Sequence, residues 1–233
     1  MSIVKRLIED IIKEKTFERT EDFKPTVFYP SEVGHCLRKL FFKRVSLEKR
    51  GYVQFSERTA KQFVMGEAVH YYIENKVLER YGSEKKIERE IDVTYRFLDV
   101  DIRGHLDIIN HTDKELVEIK STSRDLRTIE SIARRQLNLY LHRYPDYHGY
   151  VFVINRATGE YIEVDAYYDP DMFLADIELF RKVLKAWRLY EKGNKTTIAM
   201  YKAVSQLPPC SKPWVCKDCP FLEFCMVANT YHD

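Results

Sequence analysis

The chain has 233 residues, 45% of them hydrophobic and 32% charged, which supports a buried core and excludes disorder. Its net charge of +2 and pI of about 8.1 do not demand a polyanionic partner, although a local groove can be basic under a near-neutral total. No apolar run approaches membrane-spanning length, and the opening "MSIVKRLIEDIIKEK" is too charged for a signal peptide, so the expectation is a soluble, cytoplasmic protein.

Residues 2–16 have the period of an amphipathic helix. Ser31, after Pro30, is a fitting N-cap for a helix through about Val45. Ser56 caps a longer one through Tyr81, with Gly82 in the stop position. Three strand-like runs follow, "KIEREIDVTYRF", "VDIRGHLDIIN" and "ELVEIKST", broken by the turn segments "LD" and "NHTDK". "RDLRTIESIARRQLNLYLHRY" returns to helical period and ends before Pro145. "GYVFVINR" and "EYIEVDAYY" make a hairpin around "ATG". Asp169-Pro170 then opens a helix that closes at Gly193. The order predicts an α/β fold with helical additions.

Charged chemistry gathers in "RGHLDIINHTDKELVEIKSTS". Glu118 and Lys120 stand two apart on one predicted strand and so share a face, while Ile119 turns to the opposite side. The short "NHTDK" connection brings Asp107 of the preceding strand alongside them. Two carboxylates and a lysine held together suit a hard divalent cation such as Mg²⁺ or Mn²⁺. Alone, the pattern is more often that of a surface ion pair; the apolar neighbours in "LVEIKS" argue for a central strand. In "FVMGEAVHYYIE", Gly66 and His70 lie one helical turn apart, and His70 offers a nitrogen ligand. Gln136 and Tyr140 share a face of the following helix. His105, two residues before Asp107, reads as a neighbour of the site rather than a ligand.

The ordered set G-x-x-x-H (Gly66, His70), G-x-x-D (Gly104, Asp107), E-x-K (Glu118, Lys120) and Q-x-x-x-Y (Gln136, Tyr140) resembles the RecB-like branch of the PD-(D/E)xK nuclease superfamily. Leu106 stands where the superfamily often has proline. The resemblance implies a restriction-endonuclease-like core, with a mixed central sheet flanked by helices. It implies that His70, Asp107, Glu118 and the Ile119 carbonyl bind the metal, that Lys120 is the catalytic lysine, and that Gln136 and Tyr140 support the active site.

Four of five cysteines fall in "CSKPWVCKDCPFLEFC", with Pro213, Trp214, Pro220 and Phe221 to stiffen and shield them. The odd count and intracellular reading argue against a disulfide framework. The spacing C-x-x-C-x5-C suits zinc or an iron–sulfur cluster. Together with "PSEVGHCLRKLFFKR" upstream, it resembles the iron–sulfur group of RecB-like nucleases, which includes AddB-type helicase–nucleases and the CRISPR-associated exonucleases called Cas four. That resemblance implies a [4Fe–4S] cluster on Cys36, Cys216, Cys219 and Cys225, with Cys210 outside the set. The lack of a helicase motif points to the stand-alone type. On this reading 1–55 is a helical part carrying Cys36, 56–193 the nuclease core and 194–233 the cluster segment.

Lys39, Lys43 and Arg44 lie near Cys36, and Arg124, Arg127 and Arg134 near the carboxylate strands; Arg38 and Arg135 are the chosen candidates for DNA phosphates. The resemblance implies a metal-dependent exonuclease, 5′-to-3′ on single strands or ends, that trims DNA in CRISPR spacer acquisition with the integrase as partner. Two other readings stand beside it: a viral or host repair nuclease unconnected to CRISPR, and a non-catalytic DNA-binding scaffold.

Overall fold

The computed structural model describes residues 2–19, 22–123, 125–210 and 216–230; Arg124, Pro213 and Trp214 lie outside them. The chain forms two compact units. One comprises Met1–Val27, His35–Val64 and Glu178–Asp233, and so draws on both chain ends; the other comprises Phe28–Gly34 and Met65–Ile177.

The helices are α1 (Ile3–Lys15), α2 (Leu37–Arg50), α3 (Glu57–Tyr81), α4 (Leu126–Leu141), α5 (Pro170–Lys192), α6 (Thr197–Ser205) and α7 (Leu222–Thr230). The strands are β1 (Phe17–Arg19), β2 (Val27–Phe28), β3 (Tyr52–Gln54), β4 (Ile87–Phe97), β5 (Val100–Asn110), β6 (Glu115–Thr122), β7 (His148–Asn155) and β8 (Tyr161–Ala166). None of the described helices is long and apolar enough to cross a membrane.

Most predicted elements form where the periodicity put them, with one displacement. The segment from Ser31 does not begin a long helix. A short 3-10 turn (Pro30–Glu32) comes first, and α2 starts only after Cys36, its N-cap, running five residues past Val45 to Gly51 in the left-handed conformation (φ 75°). Ser56 does cap α3, its Oγ accepting from the Thr59 amide at 3.2 Å.

The larger sheet has six strands in the order β2-β5-β6-β7-β8, with β4 also paired to β5. β6 and β7 run parallel, and β4–β5, β5–β6 and β7–β8 antiparallel, so this is a mixed sheet with β6 in its interior. Parallel neighbours need a crossover, and α4 supplies it. Its apolar stripe, Ala133, Leu137 and Leu141, packs with Leu116, Val151 and Val153 of the sheet, all at most 0% exposed. Burial of that stripe at about 25 cal/mol per Å² of apolar surface is what holds α4 to the sheet. On the opposite face, Val117 and Ile119 line a cavity with Ile73 and Val77 of α3 and Ile108 of β5. β6 is therefore covered on both faces, as its apolar run requires.

Candidate active site

Both ladders beside Asp107 are interrupted at that residue. β5–β6 pairing stops at Ile108↔Val117, just before Asp107 and Glu118 would face one another. On the other side, β4 pairs Arg89↔Ile108 and Ile91↔Leu106 but skips Glu90, whose φ of 50° is left-handed. A non-glycine residue in that conformation within a strand marks a local kink of the kind that re-aims side chains beside functional sites. Freed from the ladder, Asp107 turns its carboxylate into the site. Its Oδ2 accepts from the Ile119 amide at 2.6 Å, and its Oδ1 lies 3.4 Å from His70 Nδ1.

Glu118 is fully buried; its Oε1 is paired with Lys120 Nζ, and its Oε2 has no partner. Burial raises the Glu118 pKa to about 8, helped by the Asp107 charge and opposed by Lys120. Burial also works against the Lys120 ammonium, but Glu118 and Asp107 more than offset it and raise its pKa. The same balance holds at His70, where contact with Asp107 outweighs burial and raises its pKa. An orphaned buried carboxylate oxygen beside a second carboxylate and an imidazole is a donor set that fits a hard divalent cation.

α4 supports this arrangement from its buried face. The Tyr140 hydroxyl donates to the His105 carbonyl at 2.7 Å, fixing β5 two residues before Asp107, and Gln136 is buried and hydrogen-bonds to Tyr140. Gly104 has a steric reason: a Cβ there would stand 2.7 Å from the Tyr140 hydroxyl and 2.8 Å from Pro30 Cδ. Gly66 has none of comparable force, since its nearest neighbour, Ser121 Oγ, would be 3.7 Å from a Cβ. His105 is exposed and pairs with Asp92 at 2.7 Å, outside the ligand group.

Sequence reasoning missed Glu74. It is 2% exposed, one helical turn after His70, and forms with His70 and Asp107 a trio whose ligand atoms all lie within 4.8 Å of one another. Among the described residues no other such group of three occurs. Burial, with the Glu90 and Asp107 charges, pushes its pKa up to about 7. The signal was available as H-x-x-x-E, the i, i+4 spacing that puts two ligands on one helix face.

Both candidates for phosphate contact have partners within the chain. Arg38 is 6% exposed; its Nε donates to the Leu207 carbonyl at 2.8 Å and its Nη1 to Asn229 Oδ1. Arg135 is paired with Asp176, which is 1% exposed. Arg44 is likewise turned inward, donating to the carbonyls of Pro25, Val27 and Leu40, and Lys43 pairs with Glu18 at 2.6 Å. Arg127 and Arg134 remain on the exposed side of α4, Arg134 lying 3.6 Å from Glu130.

All five cysteines line one small cavity, Cys210 included, with Arg38, Lys39 and Phe42 of α2. The Arg38 Nη1 lies 3.8 Å from Cys225 Sγ. Burial raises the pKa of the Cys36 and Cys219 thiols, while the backbone amides of Lys39 and Arg38 at the start of α2 favour the Cys36 thiolate. Cys216 is pushed up to about 11 by burial and by its hydrogen bond with Cys210. Thiols that disfavour ionisation alone, gathered around a guanidinium and an ammonium, suit an electrophilic metal centre that would bind them as thiolates.

No family model and no curated protein matches the chain. Among solved structures, the protein in the crystal structure of SSO0001 is similar over 95% of both chains, with a TM-score of 0.64 at 16% identity, which places the two in the same fold. An alkaline exonuclease from Laribacter hongkongensis aligns over 80% of this chain and 98% of its own, at a TM-score of 0.49 and 10% identity.

Proposed function

We propose that the protein is a metal-dependent deoxyribonuclease of the PD-(D/E)xK type, acting on single-stranded DNA or DNA ends. The observation that carries this reading is the convergence of His70, Asp107 and Glu118, the last fully buried with an orphaned oxygen, beside Lys120. A scaffold with no chemistry to perform gains nothing from holding these charges out of water.

His70, Asp107, Glu118 and the Ile119 carbonyl would hold Mg²⁺ or Mn²⁺, which when bound polarises a phosphoryl oxygen and acidifies a water. The chain's own groups do the rest. Lys120, anchored on Glu118, carries a positive charge to where negative charge develops on the phosphate. Asp107 is held in place through the Ile119 amide, and Tyr140 holds the backbone on which Asp107 stands. The exposed Arg127 and Arg134 would add positive charge for the DNA backbone beside Arg38 and Arg135.

The five-thiol cavity supports the second half of the reading, a [4Fe–4S] cluster on Cys36, Cys216, Cys219 and Cys225. In a tetrahedral zinc site with bonds of about 2.3 Å, neighbouring sulfurs sit roughly 3.8 Å apart; a cluster holds its thiolates at the corners of a larger body. The resemblance of the cysteine framework extends this proposal to trimming of DNA for CRISPR spacer acquisition, with the integrase as partner. The direct test is digestion of end-labelled single-stranded DNA with Mg²⁺ or Mn²⁺ beside an Asp107→Ala control. Equal digestion by the two proteins, or none by either, defeats the nuclease reading.

A further inference from the structure

Helix α1 carries an apolar face that the described residues leave open. Ile3, Val4, Leu7, Ile8, Ile11 and Ile12 recur at the spacing of one wide helical stripe. None of the 13 residues of α1 is buried; Ile3, Val4, Leu7 and Ile8 are 43% to 77% exposed, and Ile11 and Ile12 half-buried. A helix this short is marginal in water by itself and takes most of its stability from packing such a face against a partner.

The charges beside the stripe point to the partner. Residues 3–12 read "IVKRLIEDII". Hydropathy is mirrored about the Leu7–Ile8 bond, and charge is inverted about it, with Lys5 and Arg6 before and Glu9 and Asp10 after. Two such helices laid antiparallel, Leu7 of one against Ile8 of the other, set Val4 opposite Ile11 and Ile3 opposite Ile12. At about 100° per residue, Lys5 and Glu9 lie along one edge of the stripe and Arg6 and Asp10 along the other. In an antiparallel two-fold pair each edge meets its own counterpart, so Lys5 faces Glu9 and Arg6 faces Asp10, each twice. Lys5 and Glu9 already lie 3.8 Å apart within one helix, and the second copy extends that pair into a row of alternating sign. A parallel pair would set one edge against the other, bringing Lys5 to Arg6 and Glu9 to Asp10, like charges at like heights.

We propose that α1 is a self-association surface through which two copies of this chain pair as an antiparallel helix dimer centred on Leu7 and Ile8. The inference is independent of the nuclease reading. The strip is about 20 Å long and roughly 10 Å across, so the contact stays under the roughly 1,200 Å² of total buried surface typical of stable interfaces. The dimer is therefore weak and concentration-dependent. A lipid surface is the poorer fit, because helices that lie on membranes carry mostly Lys and Arg on the polar face; here Lys5, Arg6 and Lys13 are matched by Glu9, Asp10 and Glu14.

The test is sedimentation of the full-length protein from micromolar to submillimolar concentration, with circular dichroism as the folding control. The average mass of wild type should rise with concentration from the 27.8 kDa of one chain towards twice that value. Leu7→Asp, at an exposed position beside the two-fold axis, should weaken association about tenfold or more. Lys5→Glu with Arg6→Glu makes both edges acidic and should do the same. Adding Glu9→Lys and Asp10→Lys to that protein inverts every pair and should restore the wild-type association. Wild type that stays at the mass of one chain, or an association that Leu7→Asp leaves unchanged, would overturn the proposal. A fourfold variant no better than the double one would overturn the charge-matched antiparallel register. Monomeric wild type that pellets with vesicles of anionic phospholipid would overturn the dimer in favour of a membrane surface.

Discussion

Burial and the nearby Asp107 charge move Glu118 from the ordinary 4.5 to about 8, and Glu74 moves in the same direction to about 7. Between those limits the folded, metal-free protein holds protons that the unfolded chain releases. Stability is thus greatest below about pH 4.5 as far as these groups are concerned, and is lost as pH rises through their folded pKa values. We predict that in chelator the melting temperature falls from pH 5 to pH 8, that Glu118→Gln flattens much of this slope, and that Mn²⁺ restores stability most at high pH, where the ligands are already ionised. A wild-type slope identical to that of Glu118→Gln would count against the buried proton. Lys120 tests the same site from its cationic side. Lys120→Ala should reduce cleavage on the order of 10²-fold or more with its fold intact, and an unchanged rate in a gel assay would remove it from the mechanism. Asp107, Glu118 and Lys120 were legible in the sequence because period-2 alternation and one short turn force them together. Glu74 was not, because a lone carboxylate on a helix that carries many charged residues looks like solvated surface until the fold shows it 2% exposed.

At the level of elements, the contact between α4 and β5 depends on a gap in side-chain volume. Tyr140 reaches the His105 carbonyl only because Gly104 has no Cβ; an added one would meet that hydroxyl at 2.7 Å. Gly104→Ala should therefore destabilise the protein by about 1–3 kcal/mol, as overpacking does. Tyr140→Phe should cost about 0.5–1.5 kcal/mol for the lost hydrogen bond, yet lower the cleavage rate by displacing the strand that carries Asp107. Thermal melts and single-turnover cleavage of the two variants, measured together, check this; a Tyr140→Phe protein with full activity would make the bond purely structural. The strands and long helices were readable because their periods are sustained and their caps explicit, as with Ser56 and Asp169-Pro170. The start of α2 was misplaced because Ser31 carries an N-cap signature that the chain spends on a 3-10 turn, while the true cap is Cys36, a residue with little capping preference. The partners of Arg38 (the Leu207 carbonyl and Asn229) and of Arg135 (Asp176) were equally hidden, since they lie far away in sequence.

For the molecule as a whole, the unit that draws on both chain ends gathers groups far apart in sequence: Arg38 and Cys225, in contact at 3.8 Å, are 187 positions apart. Closing so long a loop costs conformational entropy, which the contacts that bridge it offset. Phe42 stacks on Phe221 at 6.0 Å and contacts Phe224 at the same distance, joining α2 to the tail without any metal. Arg38 adds hydrogen bonds to Leu207 and Asn229. The thiols at the same junction are where a bound cluster would add most, because binding energy that requires folded geometry is folding energy. We therefore predict that anaerobically purified protein is brown, contains iron rather than stoichiometric zinc, and loses colour and thermal stability in Cys36→Ala, Cys216→Ala, Cys219→Ala and Cys225→Ala. Cys210 needs separate argument, since the structure brings it into the cavity that sequence spacing had kept it out of. The proposed cluster takes four ligands where five thiols line the cavity, and Cys210 stands outside the C-x-x-C-x5-C spacing. With Cys36 held at the start of α2, where backbone amides favour its thiolate, Cys210 is the thiol left over. Cys210→Ala should then retain iron and colour. Iron analysis of the five single variants decides the assignment: loss of iron from Cys210→Ala with retention in Cys36→Ala would reverse it, and would leave the junction between α2 and the tail resting on Phe42 and Arg38 alone.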